Sequence, residues 1–68
     1  MAVDGVLADP ELRRVWELAG TRSVDNAVVR RELGVGAEHA QVVLRSLYQA
    51  GLLEREGRVG ERVYTRAR

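Results

Sequence analysis

Apolar positions recur at helical spacing three times along the chain and then give way to alternation. Leu12, Val15, Trp16 and Ala19 follow Asp9-Pro10-Glu11 on one helical face, with Arg13, Arg14 and Glu17 off it. Asp9 suits the cap, Pro10 the first helical position and Glu11 the positive helix end. Gly20 ends this first predicted helix. Thr21 to Val24 read as a short extended link. Asp25 or Ser23 can cap a second helix that runs to about Leu33, with Val28, Val29 and Leu33 as its apolar positions. Gly34-Val35-Gly36 then forms a tight turn, in which Gly34 takes positive φ, Val35 plugs the core and Gly36 is a weak cap. A third helix spans about Ala37 to Ala50. Its buried stripe is Ala40, Val43, Leu44 and Leu47, and Gly51 ends it.

The remainder divides into two strands around Gly57-Arg58-Val59-Gly60, a hairpin signal with glycine at both ends of the loop. In the second strand Val63 is expected to face the core, and Arg62 and Tyr64 the solvent or a ligand. Residues 1–8 are expected to be a flexible lead-in, and residues 9–68 one folded domain. The predicted order is helix, short strand, helix, helix, strand, strand. That is an α+β winged helix-turn-helix: three helices plus a small antiparallel β-hairpin wing.

Composition narrows the function classes. The chain has 68 residues, no cysteine and a single histidine, which leaves no disulfide framework, thiolate site or multi-histidine metal site. No cofactor is expected. No apolar run approaches the ~20 residues that span a bilayer. Asp4 and Asp9 stand where a signal peptide would be basic, so a cytoplasmic domain without membrane contact is expected. Phosphate-binding glycine loops, Gly-x-Ser-x-Gly and His-Glu-x-x-His are missing, and the chain is not expected to be an enzyme.

The net charge of +1 conceals an asymmetry. Residues 1–34 hold five arginines and six acids, whereas residues 35–68 hold six arginines and four acids. Every basic residue is arginine. Coding in a GC-rich genome accounts for much of the missing lysine, so the placement of charge tells more than its type. Arginine makes bidentate contacts to phosphate and guanine, which makes double-stranded DNA the first partner to consider.

The layout assigns roles to particular residues. Off the buried stripe of the third helix lie Glu38, His39, Gln41, Val42 and Arg45, the candidate base readers. Gln41 can pair with adenine, Glu38 can accept from cytosine, Val42 can touch a thymine methyl, and Arg45 can reach guanine or a phosphate. His39 can read a base, although a lone helical histidine is more often an ordinary surface residue. Arg55, Arg58, Arg62 and Arg66 lie along the hairpin, with Arg58 at its tip, where it can meet a phosphate or a minor groove. Glu54, Glu56 and Glu61 can instead pair with them across the strands. Asn26, Arg30 and Arg31 on the second helix complete the candidate backbone contacts, unless Arg30 or Arg31 pairs with Glu32 or the first helix.

The segment Val28 to Leu53 resembles the winged-helix gamma domain at the C-terminal end of FtsK/SpoIIIE-type DNA translocases, and the equivalent domain of TraB-type conjugative translocases, and the resemblance extends over most of residues 9–66. The shared features are Asp9-Pro10 opening the first helix, and Arg30-Arg31-Glu32-Leu33-Gly34-Val35-Gly36 in place of Gln-Arg-x-Phe-x-Ile-Gly. Ala40 through Leu53 further match the pattern Ala-x-x-Leu-Ile-x-x-Met-x-x-x-Gly-Ile-Val. Where the chromosomal translocases place Asn-Arg this chain has Glu38-His39, and where they place another arginine it has Val42. The resemblance implies recognition of short repeated duplex sites, orientation or loading of a hexameric motor domain of the same parent protein, and a target sequence of its own. The function would then serve chromosome segregation or conjugative plasmid transfer. Two alternatives are the DNA-binding domain of a bacterial transcription regulator, and a winged helix used for protein–protein contact. An apolar face centred on Val42 would favour the latter.

Overall fold

The computed structural model describes residues 3–67. It is an α+β chain with four helices and a two-stranded antiparallel sheet: α1 (Val3–Leu7), α2 (Pro10–Ala19), α3 (Asn26–Leu33), α4 (Ala37–Gln49), β1 (Leu53–Glu56) and β2 (Val63–Arg66). Within the stretch 1–8 expected as a flexible lead-in, Val3–Leu7 form a short helix, with residues 1 and 2 outside the described residues, so the described chain has four helices where three were expected. Val6 and Leu7 give the reason: both pack against the core, which rewards ordering that segment.

The caps act largely as the sequence suggests. The Asp9 carboxylate accepts from the amides of Glu11 and Leu12, with Pro10 at the helix start. Asp25, rather than Ser23, caps α3 by accepting from Val28 N at 2.9 Å. Gly34 closes α3 in the left-handed region at φ 67, with its amide donating to the Arg30 carbonyl, a conformation that favours glycine. Val35 packs against the core as expected, and Gly36 supplies no side-chain cap to α4.

Helix α4 is the hub, in contact with α2, α3 and β1. Its Ala40, Val43, Leu44 and Leu47 are buried together with Val15 and Ala19 of α2, Val29 of α3, Val24, Leu53 and Tyr64. Trp16, Leu12, Val28 and Leu33 border that core and are partly exposed.

The hairpin departs from the expected alternation. Tyr64, expected outside, is only 2% exposed, whereas Val63, expected in the core, is half-buried. The register pairs Leu53 with Arg66 and Arg55 with Tyr64, and directly opposed residues share a face. Buried Leu53 therefore commits Arg55, Tyr64 and Arg66 to the inner face, and leaves Glu54, Glu56, Val63 and Thr65 outside. Tyr64 also exchanges both backbone hydrogen bonds with Val24 (2.8 and 2.7 Å), so Val24 acts as a one-residue strand beside β2. A one-residue shift of register would exchange the larger ring for a smaller valine in the core.

The connecting loop is also longer than expected. Strand pairing ends at Glu56 with Val63, which leaves residues 57–62 in the loop and Arg62 outside the strand. Gly57 has φ 94, and a Cβ there would stand 2.7 Å from the Glu61 carbonyl oxygen, so both conformation and space demand glycine. At the tip the Glu61 amide donates to the Arg58 carbonyl at 2.9 Å, which folds Arg58 to Glu61 into a turn with Val59 83% exposed.

Candidate nucleic-acid interface

Helical spacing within α4 sends the candidate base readers in three directions. Glu38, Val42 and Arg45 lie on the exposed side opposite the buried stripe. Val42 is 56% exposed, and its helical neighbours Glu38, His39, Arg45 and Ser46 are all polar. It is a single exposed valine among polar neighbours on that helix face. His39 turns toward α2 instead, where its Nε2 meets Glu11 Oε1 at 2.7 Å.

Gln41 turns the other way, toward the hairpin. Its Oε1 accepts from Asn26 Nδ2 at 3.5 Å, and its Nε2 donates to the Tyr64 hydroxyl at 3.4 Å. Asn26 in turn donates to the Ala37 carbonyl at 3.0 Å, which ties the start of α3 to the start of α4. The base reader expected at Gln41 is thus a member of a three-residue polar chain.

The basic residues also separate into two groups. Along α2 they are matched by carboxylates. Arg14 pairs with Glu32 across α2 and α3 at 3.1 Å, and Arg13 sits 3.6 Å from Glu17. Glu32 is thereby taken, and neither Arg30 nor Arg31 has a carboxylate partner among the described residues. The same holds for Arg45, Arg55, Arg58 and Arg62. Among the described residues, the cross-strand pairs considered for Glu54, Glu56 and Glu61 do not form. For Glu54 and Glu56 the strand parity explains it, because both point away from the face that carries Arg55.

The two inward hairpin arginines stack on aromatic rings. The Arg55 guanidinium lies 4.2 Å from the centroid of Tyr48, and Tyr48 meets Tyr64 edge-to-face at 6.4 Å. The Arg66 guanidinium lies 3.7 Å from the centroid of Trp16 and donates to the Trp16 carbonyl at 2.8 Å. Arg66 is therefore a structural clamp to α2, whereas Arg55 is held beside α4 with an exposed side chain. Sequence reasoning missed Tyr48. Its signal was present, since Tyr48 follows Gln41 by seven residues, two turns along the same side of the helix.

Between the start of α3, the start of α4 and the hairpin loop lies a cleft of about 360 Å³. Asn26, Arg30, Gln41, Val59, Arg62 and Tyr64 are among its lining residues, and Asp25 and Glu61 also reach it. The Arg62 Nε is buried without a hydrogen-bond partner. Arg31, the next residue of α3, is exposed away from this cleft, while Arg58 stands free on the tip turn.

Among the described residues, no cluster of three or more His, Cys, Asp or Glu side chains could hold a metal, and no helix is long and apolar enough to cross a membrane. Comparison with family models, curated proteins and solved structures gives no match. The arrangement of side chains is therefore the ground for a functional reading.

Proposed function

We propose that the chain is a winged helix that binds double-stranded DNA with sequence preference. Helix α4 enters the major groove, and the hairpin and the start of α3 hold the flanking backbone. The order α2, Val24, α3, α4, β1, β2 supports this reading, with the turn at Gly34 joining the paired helices. The observation that carries it is the distribution of uncompensated arginine. Arg45 on α4, Arg30 on α3 and Arg55, Arg58 and Arg62 on the hairpin and its loop have no ion-pair partner among the described residues, nor do Arg22 and Arg31, while Arg13 and Arg14 on α2 are paired. Free guanidinium groups beside a helix with an exposed polar face suit a phosphate backbone bordering a groove.

By its resemblance to the translocase gamma domains, the chain would recognise short duplex sites and orient or load a motor. Selection from a random duplex library tests both levels. Short sites in tandem are expected, with affinity that falls steeply as salt rises. Palindromic sites would instead favour a dimeric transcription regulator. The absence of any duplex binding at low salt would overturn the proposal.

A further inference from the structure

We infer that the cleft between α3, α4 and the hairpin loop is a binding site for one phosphate group, with Arg62, Arg30 and the Tyr64 hydroxyl as its donors. Gln41 is then a positioning residue for Tyr64 and does not read a base. This inference rests on the DNA-binding reading for the source of the phosphate, a backbone phosphodiester, but the site itself follows from the polarity of its hydrogen bonds.

That polarity starts at the main chain. The Ala37 carbonyl can only accept, so it fixes the amide of Asn26 with Nδ2 toward it at 3.0 Å. The same Nδ2 approaches Gln41, whose oxygen must then face Asn26, at 3.5 Å. The Gln41 nitrogen is left to donate to the Tyr64 hydroxyl oxygen at 3.4 Å. Tyr64 therefore receives a hydrogen bond and keeps its own hydroxyl hydrogen to give. The residue is 2% exposed, lines the cleft, and has no acceptor for that hydrogen among the described residues.

Arg62 supplies the second unsatisfied donor. Its Nε is shielded from water and has no partner. A buried donor without an acceptor is costly, and an anionic oxygen in the cleft would remove that cost. The fork of a guanidinium suits two oxygens of one phosphate. Arg30 adds a second cation on the wall formed by α3. Of the two carboxylates that reach the cleft, Asp25 is engaged as the cap of α3, through Val28 N. Asp25 and Glu61 both carry negative charge that opposes an anion, and Glu61 is the one without a capping role. Neutralising Glu61 should therefore tighten binding.

The test uses the full chain with a selected or random duplex, and separately with inorganic phosphate. Tyr64→Phe removes the hydroxyl and keeps the ring. Gln41→Leu breaks the relay at similar volume. Each is expected to weaken duplex binding by about three- to tenfold on every sequence, and the double variant by no more than either alone. Arg62→Ala should lower the slope of log affinity against log salt by about one, and Glu61→Gln should raise affinity. A scan of neutral methylphosphonate linkages should find one position that costs the native chain affinity and costs the Arg62→Ala chain nothing. Inorganic phosphate should shift the Arg62 Nε resonance. Duplex binding without such a position, or a Gln41→Leu variant with altered base preference, would overturn the site while leaving DNA binding intact. Loss of duplex binding with the inorganic phosphate response retained would uphold the site and overturn the DNA reading. Silence in both arms would overturn both.

Discussion

Arg66 covers the Trp16 ring at 3.7 Å and simultaneously donates to the Trp16 backbone carbonyl at 2.8 Å. One side chain thus fastens the last strand to the first long helix. Gly20, which ends α2, makes room for it: a Cβ there would lie 2.5 Å from the guanidinium carbon. Its φ of −74 is ordinary for any residue, and an added Cβ would meet only the mobile end of the Arg66 side chain, which would have to move.

Arg66→Ala is therefore expected to destabilise the chain by about 1–2 kcal/mol, from a partly shielded cation–π contact and charged hydrogen bonds. Gly20→Ala should displace the same guanidinium and cost a similar amount, and the two changes together should cost less than their sum. Urea unfolding followed by Trp16 fluorescence measures both. If Arg66→Ala leaves stability unchanged but reduces the salt dependence of DNA binding, the clamp is really a phosphate contact.

The inner face of the hairpin predicts a second contrast. Tyr64→Ala removes a ring from among Val24, Leu53 and Tyr48, and should cost about 3–5 kcal/mol, enough to unfold a chain of this size at ordinary temperature. Val63→Ala, on the outer face, should cost about 1 kcal/mol or less. Thermal denaturation of the two variants gives the order directly. A larger loss from Val63→Ala than from Tyr64→Ala would mean that β2 presents its opposite face to the core.

Helical periodicity made the frame legible. The stripe Ala40, Val43, Leu44 and Leu47 is buried as its spacing requires, and Asp9, Asp25 and Gly34 bound their helices for the reasons their chemistry supplies. The face of β2 was not legible. Four residues of strand contain two plausible apolar positions, Val63 and Tyr64, and only pairing with Leu53 and Val24 decides between them. Helix α1 was hidden because five residues are too few for a periodic signal, and its stability comes from packing against α2. Within the candidate site, residue type suggested that Gln41 and His39 project to solvent, whereas their helical angles aim them at the hairpin and at Glu11.

His39 yields the third prediction. Because its ring is engaged with Glu11 on α2, His39→Ala should leave both affinity and base preference within about twofold of the native chain, the scale of a surface pair. Competition titrations with duplexes altered one base pair at a time would check it. A change of preference at any one base pair would return His39 to the reading set.

Among the described residues Arg58 and Arg45 both lack a carboxylate partner, and the proposed docking gives them different work. Arg58 stands on the tip turn, which in the proposed docking would meet the DNA backbone or a minor groove. Arg45 lies one turn beyond Gln41 on the exposed side of α4, beside Val42. Arg58→Ala should therefore weaken binding uniformly across sequences and lower the salt slope by about one. Arg45→Ala should relax selection at one base pair, by about 1–3 kcal/mol of discrimination if the contact is bidentate to guanine. Val42→Ala should act at a neighbouring position, with no change in salt slope, since no charge is lost. Fluorescence titrations over a salt series, on the selected site and its single-base variants, separate the two behaviours. Uniform losses from both Arg45→Ala and Val42→Ala would place α4 outside the major groove and leave the hairpin as the main DNA contact.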